Sequence, residues 1–422
     1  MHTRRFILYN TITMKKSDSF SFSQIQFLGA PISAGIAAFL VYTLFAMQSG
    51  PIWQTTHLAY FNYLADAFLH GQLHLRLIPT NVLDLALYKG SYYLYWPPFP
   101  AILLMPFIFL FGVDFSDVIF TLVLASINVG LVAYFLRLLS IKEIVPTQPW
   151  QRFLLTIFFA FGTVHLILAR WGLVWFTSQV IAFLCGILVY IIVLRYKGAS
   201  AFFFSGLLLS FAMLTRNHLI FLGIWPAYYL FEQHKTETRK RLISYFSLFL
   251  LPIIIALSLY MAYNWQRFGS VFEIGISYQD LGPFFQSDFE TYGTFSLHYF
   301  LTNFYYNFIY YPFPLTQEAL MGGSMFLLSP VFIAAFWGFK PIRPKASKWI
   351  LGLTILATLI PIMLNIGTGW ATFGPRYTLD FAPPLLMLTA AGVTRIPKRI
   401  FIILTAVSVT HYILGALLVL FY

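Results

Sequence analysis

Apolar residues run along this chain in stretches of roughly twenty, separated by short polar segments. Such a stretch, wound as a helix, matches about 30 Å of hydrocarbon. In lipid every backbone polar group must be bonded internally, so each stretch is read as a helix. The pattern predicts an all-α polytopic membrane protein with about eleven transmembrane helices, at 27–47, 117–137, 152–168, 177–195, 201–216, 219–231, 243–263, 322–339, 350–366, 376–392 and 400–421. The members at 201–216 and 219–231 are short and read equally well as one kinked region. Residues 1–26 are polar and Ser-rich and are read as a cytoplasmic tail, and 27–422 as a single membrane domain.

The segment 49–116 stands apart. Tyr60, Leu64 and Phe68 recur at helical spacing, with Asn62 and Asp66 on another side. This predicts a helix over 58–69 lying in the interface plane, ended by Gly71. Gly90 marks a turn before the aromatic run from Tyr92 to Trp96, which continues as Trp96-Pro97-Pro98-Phe99-Pro100. The apolar stretch 101–111 is short for a crossing and holds Pro106.

Charge decides how that stretch is read. The net charge of +12 is carried in short loops between spans, where it reports topology rather than nucleic-acid binding. Basic clusters at Lys235–Arg241, Lys340–Lys348 and Arg395–Arg399 mark inside loops. The segments 264–320 and 367–375 are poor in Lys and Arg and face outside. With a cytoplasmic N-terminus the alternation closes only if 101–111 lies on the outer surface. The first outside loop is then 49–116 and the second large one 264–320. Only 9% of the residues are charged, far below a soluble domain, which points to a membrane protein; the expected location is the cell inner (plasma) membrane. The single Cys185 excludes an internal disulfide and a thiolate metal site.

Candidate chemistry collects on the outer face. His57 and Asp66 are candidate proton acceptors; their structural roles would be an interfacial hydrogen bond and a helix-surface carboxylate. Asp84 is a third acid, which could instead cap a short turn with Asn81. Arg170, Arg216 and Arg376 stand at outer span ends, where a planar fork of donors suits a phosphate. Arg376 could also pair with Asp380 at i+4, Arg216 with a neighbouring helix, and Arg170 could reach lipid headgroups. Arg267, Glu273 and Trp96 could shape a substrate wall or serve as loop contacts and an interfacial anchor. No metal motif, Walker loop or dinucleotide-binding turn occurs, so no cofactor is firmly implied, although a divalent cation bridging Asp66 to a diphosphate is one option.

The order of parts resembles the type C membrane glycosyltransferases, in the bacterial branch related to dolichyl-phosphate-mannose-dependent mannosyltransferases. The likeness lies in the large first loop with its helix and Gly71, Trp96-Pro97-Pro98-Phe99-Pro100, Gly112 and Leu214-Thr215-Arg216-Asn217. It continues in Tyr263-Asn264-Trp265-Gln266-Arg267-Phe268-Gly269-Ser270 and Phe373-Gly374-Pro375-Arg376-Tyr377. The resemblance implies transfer of a sugar from a polyprenyl-phosphate carrier to a lipid, glycan or protein acceptor at the outer face. It also implies an acidic pair early in the first loop, where this chain has Thr56-His57, and an acid after the third span, where it has Arg170-Trp171-Gly172. Trp96 stands where a basic residue or His often precedes the double proline. Three readings follow: His57 replaces the acid, Asp66 serves from a turn or two away, or this branch is catalytically altered. The last leaves open a non-enzymatic transporter or flippase of a lipid-linked substrate, or a silent membrane scaffold.

Overall fold

The computed structural model describes residues 22–339 and 342–418. Most of the 1–26 tail, Lys340 in the inside loop and the end of the last span therefore lie outside the described residues. The chain is helical apart from one hairpin. Helix α1 spans Phe22–Met47, α2 Tyr60–Leu69, α3 Phe99–Phe111, α4 Asp117–Ile141, α5 Pro149–Phe161, α6 His165–Ala169, α7 Val174–Arg195, α8 Gly198–Met213, α9 Ile224–His234 and α10 Arg239–Phe268. Then come α11 at Pro283–Tyr292, α12 at Phe300–Phe304, α13 at Met325–Leu328, α14 at Ser347–Leu364, α15 at Ala382–Val393 and α16 at Lys398–Leu418.

Among the described residues, six helices are long and apolar enough to cross a membrane: α1 from Gly29, α4, α7, α10, α14 and α16. The other expected crossings are short or broken. The stretch 152–168 is divided between α5 and α6 at Gly162, and 219–231 begins as a 3-10 helix, Asn217–Gly223, before α9. The stretch 322–339 is α13 followed by the 3-10 helix Pro330–Trp337, because Pro330 has no N–H to continue α13. The stretch 376–392 opens with the 3-10 helix Arg376–Phe381 and becomes α15 where Pro383 and Pro384 fit its first turn. A single helix, α8, fills 201–216.

Broken helices need close neighbours, and glycine provides the space. A Cβ at Gly392 would lie 1.7 Å from the carbonyl oxygen of Ala334, and one at Gly338 2.0 Å from that of Leu388. Backbones touch at both points, as small residues allow in membrane packing. We expect Gly392→Ala to destabilise the protein by about 1–3 kcal/mol through overpacking. Thermal unfolding in detergent checks this, and an unchanged midpoint would mean that the two segments can separate.

The first outside loop is an ordered body. Helix α2 ends in paired hydrogen bonds from Gly71 N–H to the Phe68 carbonyl (3.1 Å) and Gln72 N–H to the Ala67 carbonyl (2.9 Å), with Gly71 at φ +70°. It is buried on more than one side and is not a simple surface helix. Asn62 lies inside and donates to the carbonyls of Val113 and Phe115, fixing the loop's far end. Ala86–Tyr88 (β1) and Ser91–Tyr93 (β2) pair antiparallel through Lys89 and Gly90, both at positive φ, as a two-residue hairpin turn requires. Helix α3 packs Ala101, Leu104 and Ile108 inward and leaves Phe109, Leu110 and Phe111 exposed. The loop closes at Asp117, whose carboxylate accepts from the Thr56 N–H (2.9 Å) and hydroxyl (2.5 Å).

Candidate active site

Two of the sequence segments that carry the family resemblance meet in space. The N–H of Phe99 donates to the carbonyl of Leu214 (3.0 Å), and the rings of Phe99 and Phe211 stack. This joins the Trp-Pro-Pro-Phe-Pro run to the end of α8. Between them opens a cavity of about 360 Å³. Its charged and titratable walls are Asp84, Tyr95, Arg216, His218, Arg376 and Tyr377. Trp96 and Trp175 form an aromatic side, and Pro361, Ile362 and Ile366, at and just beyond the end of α14, form an apolar one.

Asp84 is the carboxylate of the first loop that reaches this cavity. Its backbone has φ +66°, a region that Asp and Asn tolerate better than most residues. Tyr60 of α2 donates to the carbonyl of Leu83 (2.7 Å) and holds the preceding residue. The N–H of Asp84 donates to the carbonyl of Asp280 (2.8 Å), and Asp280 N–H to that of Leu85 (3.1 Å). These bonds stitch the second outside loop to the first and bring Gln279 beside Asp84. Gln279 Nε2 donates to Oδ1 (2.9 Å), Trp175 Nε1 to Oδ2 (2.9 Å), and Gln279 also reaches the Tyr95 hydroxyl (3.2 Å). Burial pushes the carboxyl above its ordinary range, while Gln279, Trp175 and the charge of Arg376 partly offset that rise.

Arg376 is buried, with Nε donating to the carbonyl of Gly369 (3.0 Å) and Nη2 to that of Trp370 (3.2 Å). Its guanidinium lies over Trp175 and Tyr377. Asp380 bonds across the fold: Arg216 donates to its Oδ2 from Nε (3.1 Å) and Nη2 (3.0 Å), and His218 Nε2 lies 3.0 Å from the same oxygen. The interhelical alternative for Arg216 is therefore the geometry found.

Of the other sequence candidates, only Trp96 lines this cavity. His57 is exposed in the turn before α2 and does not line the cavity. Asp66 also lies outside the lining, its two oxygens accepting from Arg76 Nε (2.9 Å) and Nη2 (3.0 Å). Arg170 is fully buried rather than reaching headgroups; it donates to the carbonyl of Ala416 and packs over Trp171. Arg267 donates to the carbonyl of Leu94 (2.8 Å) and to Asn264 (2.8 Å), tying α10 to the first loop. Glu273 accepts from Gly275 N–H and the Ser277 hydroxyl, shaping the loop that carries Ile274 and Ile276 to the cavity wall. Trp96 lines the cavity and stacks on Tyr95. His218, Gln279 and Trp175 were not singled out from sequence; His218 alone had a signal, two residues after Arg216. Among the described residues no group of three or more His, Cys, Asp or Glu could hold a metal ion.

Asp66 is buried beside the half-exposed Arg76, so Asp66→Ala is expected to destabilise the protein by about 1–3 kcal/mol through the donors it leaves unpaired, as read by thermal unfolding in detergent.

No family profile and no curated protein matches the sequence. Among solved structures, ArnT from Cupriavidus metallidurans in the apo state superposes with a TM-score of 0.51 at 12% identity, over 90% of this chain and 62% of that one. ArnT of the same organism bound to undecaprenyl phosphate gives 0.49 at 13%, over 89% and 61%. The S. cerevisiae protein O-mannosyltransferase Pmt1-Pmt2 complex bound to the sugar donor gives 0.39 at 14%, over 60% and 35%. The chain thus spans about three fifths of the length of ArnT. At such identity the likeness shows the fold: an all-helical, polytopic membrane chain built like apo ArnT, as the resemblance to type C membrane glycosyltransferases implied.

Proposed function

We propose that this chain is a polyprenyl-phosphate-dependent glycosyltransferase of the cell membrane. It moves a sugar from the lipid carrier to a glycan, lipid or protein acceptor at the outer face. The observation that carries this reading is one cavity holding two guanidinium groups, Arg216 and Arg376, together with the buried carboxylate Asp84 and an apolar wall. The guanidinium groups offer the forks that a phosphate needs. Trp96 and Trp175 offer faces for a sugar ring or an isoprene unit. Asp84 takes the proton from an acceptor hydroxyl, whose oxygen attacks the anomeric carbon. The bond from that carbon to the phosphate oxygen breaks, and its electron pair stays on the phosphate.

In this reading the broken pairs α5 with α6, Asn217–Gly223 with α9, α13 with Pro330–Trp337, and Arg376–Phe381 with α15 complete crossings. With α8 and the six long helices they make eleven, N-terminus inside. Broken spans are tolerated where irregular backbone is covered by protein or lines a cavity. The test is mass spectrometry of lipids that copurify with the protein. A polyprenyl phosphate, free or bearing a sugar, is expected with wild type and depleted in Arg376→Ala. Bulk phospholipid alone, together with uptake of an unmodified lipid-linked substrate into vesicles, would establish a transporter instead.

A further inference from the structure

We infer that His218 supplies the proton taken up by the departing phosphate, an assignment that rests on the cavity being the donor-phosphate site. His218 lines the same cavity as Arg216 and Arg376. Its Nε2 lies 3.0 Å from Oδ2 of Asp380, whose side chain is 0% exposed while that of His218 is 17% exposed. The ring therefore has one nitrogen against a buried carboxylate and an edge open to the cavity. A carboxylate at one imidazole nitrogen fixes the tautomer and leaves the other nitrogen for chemistry.

Charge balance gives His218 its task. Arg216 and Arg376 are offset by Asp84 and Asp380, so the site has no net charge before His218 is counted. A phosphodiester donor brings one negative charge. Cleavage of the bond to the anomeric carbon leaves an electron pair, and a second negative charge, on the phosphate oxygen. If imidazolium gives its proton to that oxygen, a P–O–H bond forms, the ring becomes neutral and the summed charge is unchanged. The acceptor's own proton goes to Asp84, and both groups re-equilibrate with water after release. The titratable and charged groups around His218 are Asp380, Arg376 and Tyr377 from one segment, Arg216 from its own, and Asp84 and Tyr95 from the first loop. Helix α14 brings only Pro361 and Ile362 to this wall.

The experiment uses two probes on the full chain in detergent: farnesyl phosphate, a monoester like the product, and its methyl diester, a monoanion like the donor. Calorimetry in buffers of different ionisation enthalpy, between about pH 5 and 8, reads proton uptake on binding. At the alkaline end of that range wild type is expected to take up a proton with either probe, held by the imidazole beside the diester and shared with the phosphate of the monoester. His218→Gln can still donate to Asp380 and should keep the wild-type thermal midpoint, which shows that it is folded. It should take up less proton with the monoester and bind it about tenfold more weakly, the loss of one charged hydrogen bond. His218→Asn, a shorter amide, should behave alike. Unchanged proton uptake and an unchanged affinity ratio in both variants would overturn the role of His218 and leave the proposed function standing. Failure of wild type to bind either probe would overturn the proposed function itself.

Discussion

The Asp84→Asn protein, reconstituted with a lipid-linked sugar donor, is expected to transfer sugar about 10²–10⁴-fold more slowly than wild type, the usual contribution of a positioned general base. Asparagine keeps the volume and tolerates the left-handed backbone, so folding should survive. The pH profile makes the result specific. The ionised carboxylate is the active form, so the wild-type rate falls as pH drops through its pKa. Burial raises that pKa, so the acid limb lies above the ordinary carboxylate range, and the variant lacks it. Stability has the opposite sign. For an acid whose folded pKa is raised, ionisation costs the folded state, so stability declines as pH rises from about 3.8 through the folded pKa and is level above it. Transfer within threefold of wild type would sink the assignment of Asp84 as the base.

Loss of either cavity arginine should be nearly as severe. Arg216→Ala and Arg376→Ala are each expected to lower kcat/KM by about 10²–10³-fold, the effect of removing one donor to developing negative charge. Both residues also have structural partners, so activity alone does not isolate the phosphate contact. Arg216→Ala strips Asp380 of a charged donor inside the fold and should cost about 3–5 kcal/mol. Arg216→Lys separates the two effects. It retains a cation beside Asp380 and most of the stability, yet lacks the planar fork, so transfer should still fall about tenfold or more. Full transfer by a folded Arg216→Lys protein would show that Arg216 acts only as the partner of Asp380.

Sequence and structure agree best where the signal is local. Gly71 ends α2, Gly90 turns the hairpin, and α4 begins at Asp117, where the first loop was expected to close. They differ where one crossing is built from two pieces. A hydropathy window registers 322–339 and 376–392 as apolar whether or not Pro330 and the Arg376–Phe381 turn break the helix. Helix α10 also runs on to Phe268, so the first residues assigned to the second outside loop are helical. Arg216, Arg376, Trp96 and Asp84 were legible as candidates because each is polar or aromatic at an outer span end or in the first loop. Their partners were not: Gln279 is 195 residues from Asp84, and Asp380 is 164 from Arg216.

Residue order alone establishes a membrane protein and where its apolar stretches lie. Those properties follow from transfer free energy summed over neighbouring residues, and they need no knowledge of packing. Packing settles which first-loop acid shares a cavity with Arg216 and Arg376. Proximity along the chain to the family's acidic position favoured His57 and Asp66, whereas the hydrogen bonds joining 84–85 to 279–280 direct Asp84 into the cavity, and Arg76 holds Asp66 away from it. A site drawn from distant segments is fixed by which backbones can approach, and close backbone contacts such as those at Gly338 and Gly392 join segments that the linear order does not pair.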